Sequence, residues 1–316
     1  MNQVPAKHTI IEASDRIKPY IHTTPVITSE NINGLFSTSL FFKCENFQKA
    51  GAFKSRGAVN NLFSLTENEL KNGVCTHSSG NHAAALARAA RLRDVEAYIV
   101  MPENSSRVKV SAVKNYGGII TFCKPTLRSR EKTLEEVHYR TDAIEIHPYN
   151  NYRTIAGQAT AARELIEEVP GLDMIIAPVG GGGLLSGTAL AAYYFSPGTR
   201  VIAAEPEGAN DAFRSFYSRK WVPSENPKTI ADGLLTSLGD KTFPVILEYV
   251  NQIVTVSDSA IITAMRLIWE RMKIIVEPSA AVTLAAILEN KIDHKRKRIG
   301  LILSGGNIDL DKIPWS

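Results

Sequence analysis

Short apolar runs rich in β-branched residues alternate along this chain with longer segments in which apolar residues recur at helical spacing. The helical segments include HAAALARAARL and TIAGQATAARELIEEV, and Gly, Pro or Ser stands at the breaks. Repeated alternation of strand and helix is typical of a mostly parallel sheet with helices on both faces, so the sequence predicts the α/β class. The predicted strands cover residues 40–43, 73–77, 96–101, 118–122, 174–178, 200–204, 252–256 and 298–303.

The composition narrows the classes of function. Among 316 residues, 44% are hydrophobic, which is enough for the cores of about two domains. The 36 Lys and Arg residues nearly balance the 32 Asp and Glu residues and are spread along the chain, so no nucleic-acid partner is expected. Three widely spaced cysteines favour a reducing environment, and no leader or membrane segment is predicted. We therefore expect a cytoplasmic protein that works apart from membranes.

Four consecutive glycines, Gly180, Gly181, Gly182 and Gly183, follow a predicted strand and precede a predicted helix. Backbone amides without side chains at a helix N-terminus can surround an anion. The run lacks the Lys-Ser/Thr of a Walker A loop and the spacing of a dinucleotide fold, so it favours a monophosphate. A tight turn that merely needs small residues for packing is the structural alternative.

Lys54 stands in the segment GAFKSRGAVNNLF, at the predicted start of a helix and among small residues. The helix dipole disfavours a cation at that end, so the placement needs a reason. A lysine held there among small and apolar neighbours is expected to have a lowered pKa, which suits reaction with an aldehyde. An ordinary surface lysine is the alternative.

Four motifs follow one another along the chain: FKSRGA at 53–58, SSGNH at 78–82, GGGG at 180–183 and SGGN at 304–307. In this order they resemble the motifs of fold-type II pyridoxal-phosphate enzymes, and specifically the serine racemase and serine/threonine dehydratase family, over essentially the whole chain. The resemblance implies a two-domain fold like that of the tryptophan synthase β subunit, with mostly parallel sheets covered by helices. We expect a large cofactor-binding domain from residues 1–72 and 150–316, a small inserted domain from residues 73–149, and a homodimer.

The resemblance also implies roles around a pyridoxal 5′-phosphate cofactor. Lys54 matches the lysine that holds the cofactor covalently, and Phe53 matches the residue beside its ring. Asn81 matches the partner of the phenolic oxygen, and Ser304 matches the partner of the pyridine nitrogen. The glycine run, residues 180–183, matches the phosphate loop.

Ser78, Ser79, Asn81 and His82 are expected to cap a helix whose free amides suit a substrate carboxylate, although serine there is equally typical of a structural N-cap. In the racemase-like branch the serine matching Ser79 is a second acid/base, on the cofactor face opposite the lysine. Simple threonine dehydratases commonly carry Ala at that place. Ser79 therefore favours serine racemase or 3-hydroxyaspartate dehydratase.

Arg130 matches an arginine near the substrate in the same branch. Its guanidinium could pair with a second carboxylate, which hydroxyaspartate has and serine lacks. An exposed helix arginine is the alternative.

A metal site is expected after the strand at 200–204, where Glu205 and Asp211 flank the Ala209 carbonyl. Hard oxygen ligands of this kind suit Mg²⁺ or Ca²⁺. Two carboxylates six residues apart are also common in solvated loops. Because the racemase-like branch binds a divalent cation (Mg²⁺, or Ca²⁺ or Mn²⁺) at the matching positions, we expect a structural metal.

The resulting functional expectation is a lyase that converts L-serine, L-threonine or 3-hydroxyaspartate into a 2-oxo acid and ammonia. Lys54 would remove the Cα proton. A serine racemase, with Ser79 returning the proton from the other face, is the alternative. A synthase adding a sulfur nucleophile is a weaker third, and a phosphate-binding protein without catalysis would not need Lys54.

Overall fold

Ten strands and thirteen α-helices form this fold in the computed structural model, which describes residues 3–315. The strands are β1 (Val26–Ile27), β2 (Ser39–Cys44), β3 (Val74–His77), β4 (Ala97–Pro102), β5 (Ile119–Cys123), β6 (Ile144–Glu145), β7 (Met174–Pro178), β8 (Arg200–Pro206), β9 (Gln252–Val256) and β10 (Arg298–Leu303). The helices are α1 (Lys7–Ile17), α2 (Glu30–Phe36), α3 (Lys54–Phe63), α4 (Glu67–Leu70), α5 (Asn81–Leu92), α6 (Arg107–Asn115), α7 (Leu127–Thr141), α8 (Tyr152–Glu168), α9 (Gly183–Phe195), α10 (Asp211–Ser218), α11 (Thr242–Tyr249), α12 (Asp258–Met272) and α13 (Pro278–Leu288).

The strands form two sheets. The large sheet has the order β1-β2-β10-β7-β8-β9, and only β1 runs antiparallel to its neighbour. The small sheet is entirely parallel, with the order β5-β4-β3-β6. All eight predicted strands are confirmed within two residues at each end. The two strands that the sequence analysis missed, β1 and β6, are only two residues long.

The large sheet is buried on both faces, which explains its continuous apolar strands. Successive side chains of a strand point to opposite faces. In β8, Ile202 and Ala204 lie in the core beneath α12 and α13, whereas Val201 and Ala203 lie in the core beneath α8 and α9. The predicted α/β class, with helices on both faces of mostly parallel sheets, is therefore confirmed.

The small sheet, formed between Val74 and Glu145, has its own apolar core against α5 and a smaller one against α7. The domain boundaries at 72/73 and 149/150 stay a prediction. Within the described range, no helix combines the length and apolar character needed to cross a lipid bilayer.

Candidate active site

One cleft collects every cofactor and substrate residue that the sequence analysis selected. The carboxyl ends of β3, β7 and β10 and the first turns of α3, α5 and α9 converge there, which is where parallel α/β folds place their ligands. The predicted residues in its lining are Phe53, Lys54, Ser78, Ser79, Asn81, His82, Arg130, Gly180, Gly181, Gly182, Gly183 and Ser304.

Lys54 is the first residue of α3, and its Nζ donates to the Pro148 carbonyl oxygen at 2.9 Å. The same Nζ lies 5.0 Å from the centre of the Phe53 ring. Burial lowers the pKa of Lys54 to about 8, although the charge of Glu277 opposes the shift. The predicted lowering of this pKa is confirmed, so a useful fraction of the amine is neutral and nucleophilic near neutral pH.

A buried ion cluster fixes the helix that begins at Lys54. Arg56 is fully buried, and its guanidinium pairs with Glu45 at 2.7 Å and with Glu164 at 2.6 Å. Lys43, also fully buried, adds a second cation at 2.6 Å from Glu164. Since breaking one partner of such a buried cluster is costly, α3 is held firmly and Lys54 with it.

The start of α3 is also joined to the end of β10. The Phe53 amide donates to the Ser304 carbonyl at 3.0 Å, and Ala52 forms an isolated bridge with Gly305. These backbone contacts keep Lys54 and the Ser304 hydroxyl on the same cleft.

Two features of the structure explain why the run at 180–183 consists of glycine. Gly182 caps α9 with φ +88, and no side chain caps that helix, so its first amides are free for an anion. A Cβ at Gly181 would lie 2.4 Å from the Tyr149 ring, and one at Gly180 would lie 2.9 Å from the Leu234 Cα. The packing alternative is therefore real, and it coexists with a cradle suited to a phosphate.

Asn81 stands at the junction of the two sheets. Its Nδ2 donates to Glu277 Oε1 at 2.6 Å, and its Oδ1 accepts from Asn307 Nδ2 at 3.0 Å. A carboxamide has two N–H bonds, so one remains for a ligand oxygen in the cleft. This arrangement fits the expected contact with a phenolic oxygen.

The expectation that the 78–82 segment caps α5 with its side chains is wrong. Gly80 is the N-cap, and no side chain accepts from the first amides of the helix. Ser78 Oγ instead accepts from the Gly80 amide at 3.2 Å, so this hydroxyl is turned back into its own loop. The uncapped amides therefore stay available to a carboxylate in the cleft.

His82 is buried, and its Nε2 contacts the Ile146 carbonyl oxygen at 2.9 Å. Burial and the charge of Lys54 lower the pKa of His82 to about 3, so the ring is neutral. Its other nitrogen, Nδ1, is buried without a hydrogen-bond partner among the described residues.

The wall of the cleft formed by Arg130, His77 and Tyr149 carries buried nitrogen atoms without hydrogen-bond partners among the described residues. Arg130 Nε and His77 Nδ1 are buried, and neither has a hydrogen-bond partner within residues 3–315. Burial lowers the pKa of Arg130, and burial together with the Arg130 charge lowers the pKa of His77 to about 4. An anion placed at this wall would pair with Arg130, and it would accept from His77 Nδ1 in the tautomer that carries the proton there.

The charges of the cleft point to anionic ligands. Its two carboxylates, Asp232 and Glu277, face Lys109, at 2.6 and 3.6 Å. Lys54 and Arg130 form no ion pair within the described chain, although the charge of Glu277 acts on Lys54. An amine that reacts with aldehydes, an uncapped helix N-terminus, a spare amide N–H and the Ser304 hydroxyl together fit pyridoxal phosphate.

The metal ligands expected at Glu205, Ala209 and Asp211 lie outside this cleft. Glu205 accepts the amides of Ala212 and Phe213 at 2.9 and 2.7 Å. Both Asp211 carboxylate oxygens are buried and make no well-formed hydrogen bond among the described residues, although Ser224 and the Leu238 backbone lie near enough to lower the pKa of Asp211. Burial raises the pKa of both carboxyl groups, and for Glu205 the nearby Asp211 charge adds to the rise.

Two adjacent buried carboxylates with orphaned oxygens fit a divalent cation. However, residues 3–315 contain no group of three or more His, Cys, Asp or Glu side chains arranged around a metal position. Any cation held there would need main-chain carbonyls or water as further ligands.

Sequence reasoning missed several residues of the cleft. They come from five separate parts of the chain, and, His77 apart, nothing in their local sequence marks them as ligands. These residues are His77, Lys109, Tyr149, Asp232, Thr236, Glu277 and Ser279. His77 alone carried a signal, because it directly precedes the SSGNH motif.

Comparisons with known proteins agree with this site. The sequence profile described as "pyridoxal-phosphate dependent enzyme" matches residues 17–305. The chain is 50% identical over 313 residues to the beta-hydroxyaspartate dehydratase of Paracoccus denitrificans, covering 99% of each chain. It is 51% identical over 309 residues to the serine racemase of Dictyostelium discoideum, covering 96% of this chain and 95% of the relative. The solved structure of maize serine racemase superposes with a TM-score of 0.95 at 48% identity, covering 98% of this chain and 95% of the other.

Proposed function

The chain belongs to the family of pyridoxal-phosphate-dependent enzymes, in its serine/threonine dehydratase-like branch, and on that premise we propose that it is an ammonia-lyase with 3-hydroxyaspartate as its preferred substrate. The net reaction converts the β-hydroxy amino acid into a 2-oxo acid and ammonia. The water lost with the β-hydroxyl is balanced by the water consumed when ammonia is released. Pyridoxal phosphate, when bound, supplies the aldehyde that captures the amino group and the conjugated ring that accepts the electrons of the Cα–H bond.

The residues of the cleft divide the work of holding the cofactor. The first amides of α9 and the glycine run would hold the phosphate. The free N–H of Asn81 would meet the phenolic oxygen, and the Ser304 hydroxyl would meet the ring nitrogen. Because Ser304 carries no charge, it would not stabilise a protonated ring nitrogen as a carboxylate would.

Lys54 is the base that removes the Cα proton. Its lowered pKa, about 8, keeps part of the amine unprotonated at neutral pH, which is the form a general base needs. The uncapped first amides of α5, from Asn81 onward, hold the α-carboxylate and so orient the Cα–H bond toward Lys54.

The unpaired guanidinium of Arg130 is the observation that carries the choice of substrate. The side chain is half-buried and its Nε is buried without a partner among the described residues, so a second carboxylate in the cleft would pair with it. Serine and threonine have no such group, whereas 3-hydroxyaspartate does. The identity to a beta-hydroxyaspartate dehydratase supports the same choice.

The test is a panel of L-serine, D-serine, L-threonine and the threo and erythro epimers of 3-hydroxyaspartate, each assayed for 2-oxo acid and ammonia. We expect one hydroxyaspartate epimer to exceed L-serine in kcat/KM by at least about tenfold. A preference for serine or threonine over both epimers would refute the substrate assignment. Borohydride reduction followed by peptide mapping should place the cofactor mass on the peptide containing Lys54.

Serine racemase is the second candidate, and the position of Ser79 favours it. Ser79 lines the same cleft as Lys54, so its hydroxyl is a second group that could return a proton to Cα. Chiral chromatography of L-serine incubations measures this activity. Formation of D-serine at a rate above pyruvate release would make racemisation the main function.

We also propose that Glu205, the Ala209 carbonyl and Asp211 hold a structural Mg²⁺, Ca²⁺ or Mn²⁺, and that the enzyme is a cytoplasmic homodimer. The orphaned oxygens of Asp211 support the metal site. Light scattering of the purified holoenzyme tests the dimer, and metal analysis after desalting tests the cation.

A further inference from the structure

Lys109 lies in the cleft without a role in the scheme above. It is the third residue of α6, its side chain is 5% exposed, and its Nζ lies 2.6 Å from Asp232 Oδ2 and 3.6 Å from Glu277 Oε2. Lys109 belongs to the small-sheet half of the molecule, whereas both carboxylates belong to segments that pack on the large sheet. The ammonium therefore joins the two halves across the cleft.

On its way to these carboxylates the Lys109 side chain crosses the 78–82 loop. A Cβ at Gly80 would lie 2.1 Å from the Lys109 Cδ and 2.7 Å from its Cγ. The methylene stem thus lies directly on the loop backbone, in the space that any side chain at position 80 would fill. The glycine of the SSGNH motif makes room for this lysine.

The carboxylates that anchor Lys109 are themselves fixed to the cofactor cradle. The turn after Asp232 packs on the glycine run, since a Cβ at Gly180 would lie 2.9 Å from Leu234 Cα. Glu277 Oε1 accepts from Asn81 Nδ2 at 2.6 Å. One lysine therefore contacts the loop at the start of α5 and two groups that border the cofactor site.

We propose that Lys109 is a positioning residue, which clamps the 78–82 loop against Asp232 and Glu277 and thereby fixes the α5 amides that receive the substrate carboxylate. The change in substrate KM that is expected when Lys109 is replaced rests on the proposed function. The clamp itself does not, because it concerns contacts within this chain.

The electrostatics agree with a charged clamp. Burial alone would lower the pKa of Lys109, but the charges of Glu277 and Asp232 outweigh it, and the net shift is upward. Burial raises the pKa of Glu277, and Lys109 opposes that rise. The charged groups that face Glu277 are Lys109 from α6, Asp232 from its turn and Lys54 from α3. Removing the lysine would leave a buried carboxylate without its main counter-ion.

The first experiment compares Lys109→Met with Lys109→Arg in the holoenzyme. Hydrogen exchange followed by mass spectrometry reports the protection of amides 78–83. Without the clamp, exchange there should rise roughly ten- to hundredfold, and KM for 3-hydroxyaspartate should rise by a similar factor with a smaller change in kcat. Lys109→Arg retains the charge and should restore most of the protection. Lys132→Met removes an exposed lysine whose one ion pair in the described part of the chain is with Glu136, and it serves as the matched control.

A double-mutant cycle tests the contact between the stem and the loop. Gly80→Ala should speed exchange at 78–83 by at least about tenfold in the wild type, because the new methyl group displaces the lysine. In a Lys109→Ala background the same substitution should have an effect below about threefold. The cycle subtracts whatever Gly80→Ala costs for other reasons.

The clamp would be refuted if amides 78–83 of Lys109→Met exchanged as slowly as in the wild type. It would also be refuted if the effects of Gly80→Ala and Lys109→Ala on exchange were additive. If Lys109→Met does not fold, Asp232→Asn removes one anchor while Glu277 still balances the lysine. This variant should then show faster exchange at 78–83 without loss of the fold. A wild-type holoenzyme that does not act on 3-hydroxyaspartate would refute the proposed function. If its variants still show the predicted exchange pattern, the clamp remains supported.

Discussion

The replacement of Arg130 by methionine separates recognition of a second carboxylate from every other feature of the cleft. Arg130 lies in the first turn of α7 and lines the cleft, and its Nε is buried without a partner in the described chain. Methionine keeps much of the buried stem and removes all the donors. The α-carboxylate site at the start of α5 is untouched by this change.

The expected magnitude follows from the contacts that a second carboxylate can make. A guanidinium can give it two parallel charge-assisted hydrogen bonds, each contributing at least about 1.5 kcal/mol. Their loss amounts to about 3 kcal/mol, or roughly a hundredfold in kcat/KM for 3-hydroxyaspartate. L-serine has no group to meet the arginine, so its kcat/KM should change by less than about threefold. Arg130→Lys keeps the charge without the fork geometry and should fall between these values.

The assay measures kcat/KM for 2-oxo acid release from 3-hydroxyaspartate and from L-serine under identical conditions. It compares the wild type with Arg130→Met, Arg130→Lys and Arg128→Met. Arg128 is exposed on the same helix two residues away, so its replacement controls for the loss of one positive charge near the cleft. Equal losses on hydroxyaspartate and serine would show that Arg130 supports the fold or the cofactor instead of the side chain of the substrate. A loss of similar size in Arg128→Met would assign the effect to long-range charge.

Three further predictions address the remaining site residues. Because the pKa of Lys54 is lowered to about 8, the amine is protonated below that pH. The rate at which apoenzyme is reconstituted with pyridoxal phosphate should therefore rise with pH around a midpoint near 8. Lys54→Ala should never develop the visible absorbance of the lysine-bound cofactor. Ser79→Ala should lower any racemisation of serine on the order of a hundred- to ten-thousandfold while elimination from the L-enantiomer survives, as measured by chiral product analysis; a parallel loss of both would make Ser79 a binding residue. Chelation should lower the melting temperature by about 4 °C, as expected for a cation bound at about a hundred times its Kd, and the effect should be absent in Asp211→Asn; an unchanged wild type would exclude a stabilising metal there.

The sequence predicted this fold well because its signals are local. Each of the eight predicted strands is a short, mostly apolar run, and all except β5, at the edge of the small sheet, are largely buried. The missed strands, β1 and β6, have two residues each, too few to show any period. They form strands because they pair with β2 and β3, and their own residues do not predict that pairing.

The site was predictable where chemistry and turn geometry share the same few residues. Lys54, Asn81, Ser304 and the glycine run, residues 180–183, all stand where a strand ends or a helix begins, so motif and position reinforce one another. The N-cap role given to Ser78 failed because serine before a helix has two uses. Here its hydroxyl accepts the amide of Gly80 within the loop, and the helix starts uncapped.

The partners of these residues lie far away in sequence, and their roles depend on distances that only the folded chain sets. Lys109 and Glu277 are separated by 168 positions (277 − 109), yet their charges meet beneath one loop. Gly80 also could not be explained from the sequence, because its neighbours along the chain give no reason for a glycine there. The reason is the stem of Lys109, which lies where a Cβ would be. A glycine in a functional loop can therefore mark the path of a distant side chain as well as the place of a ligand, and only the coordinates of both segments distinguish the two.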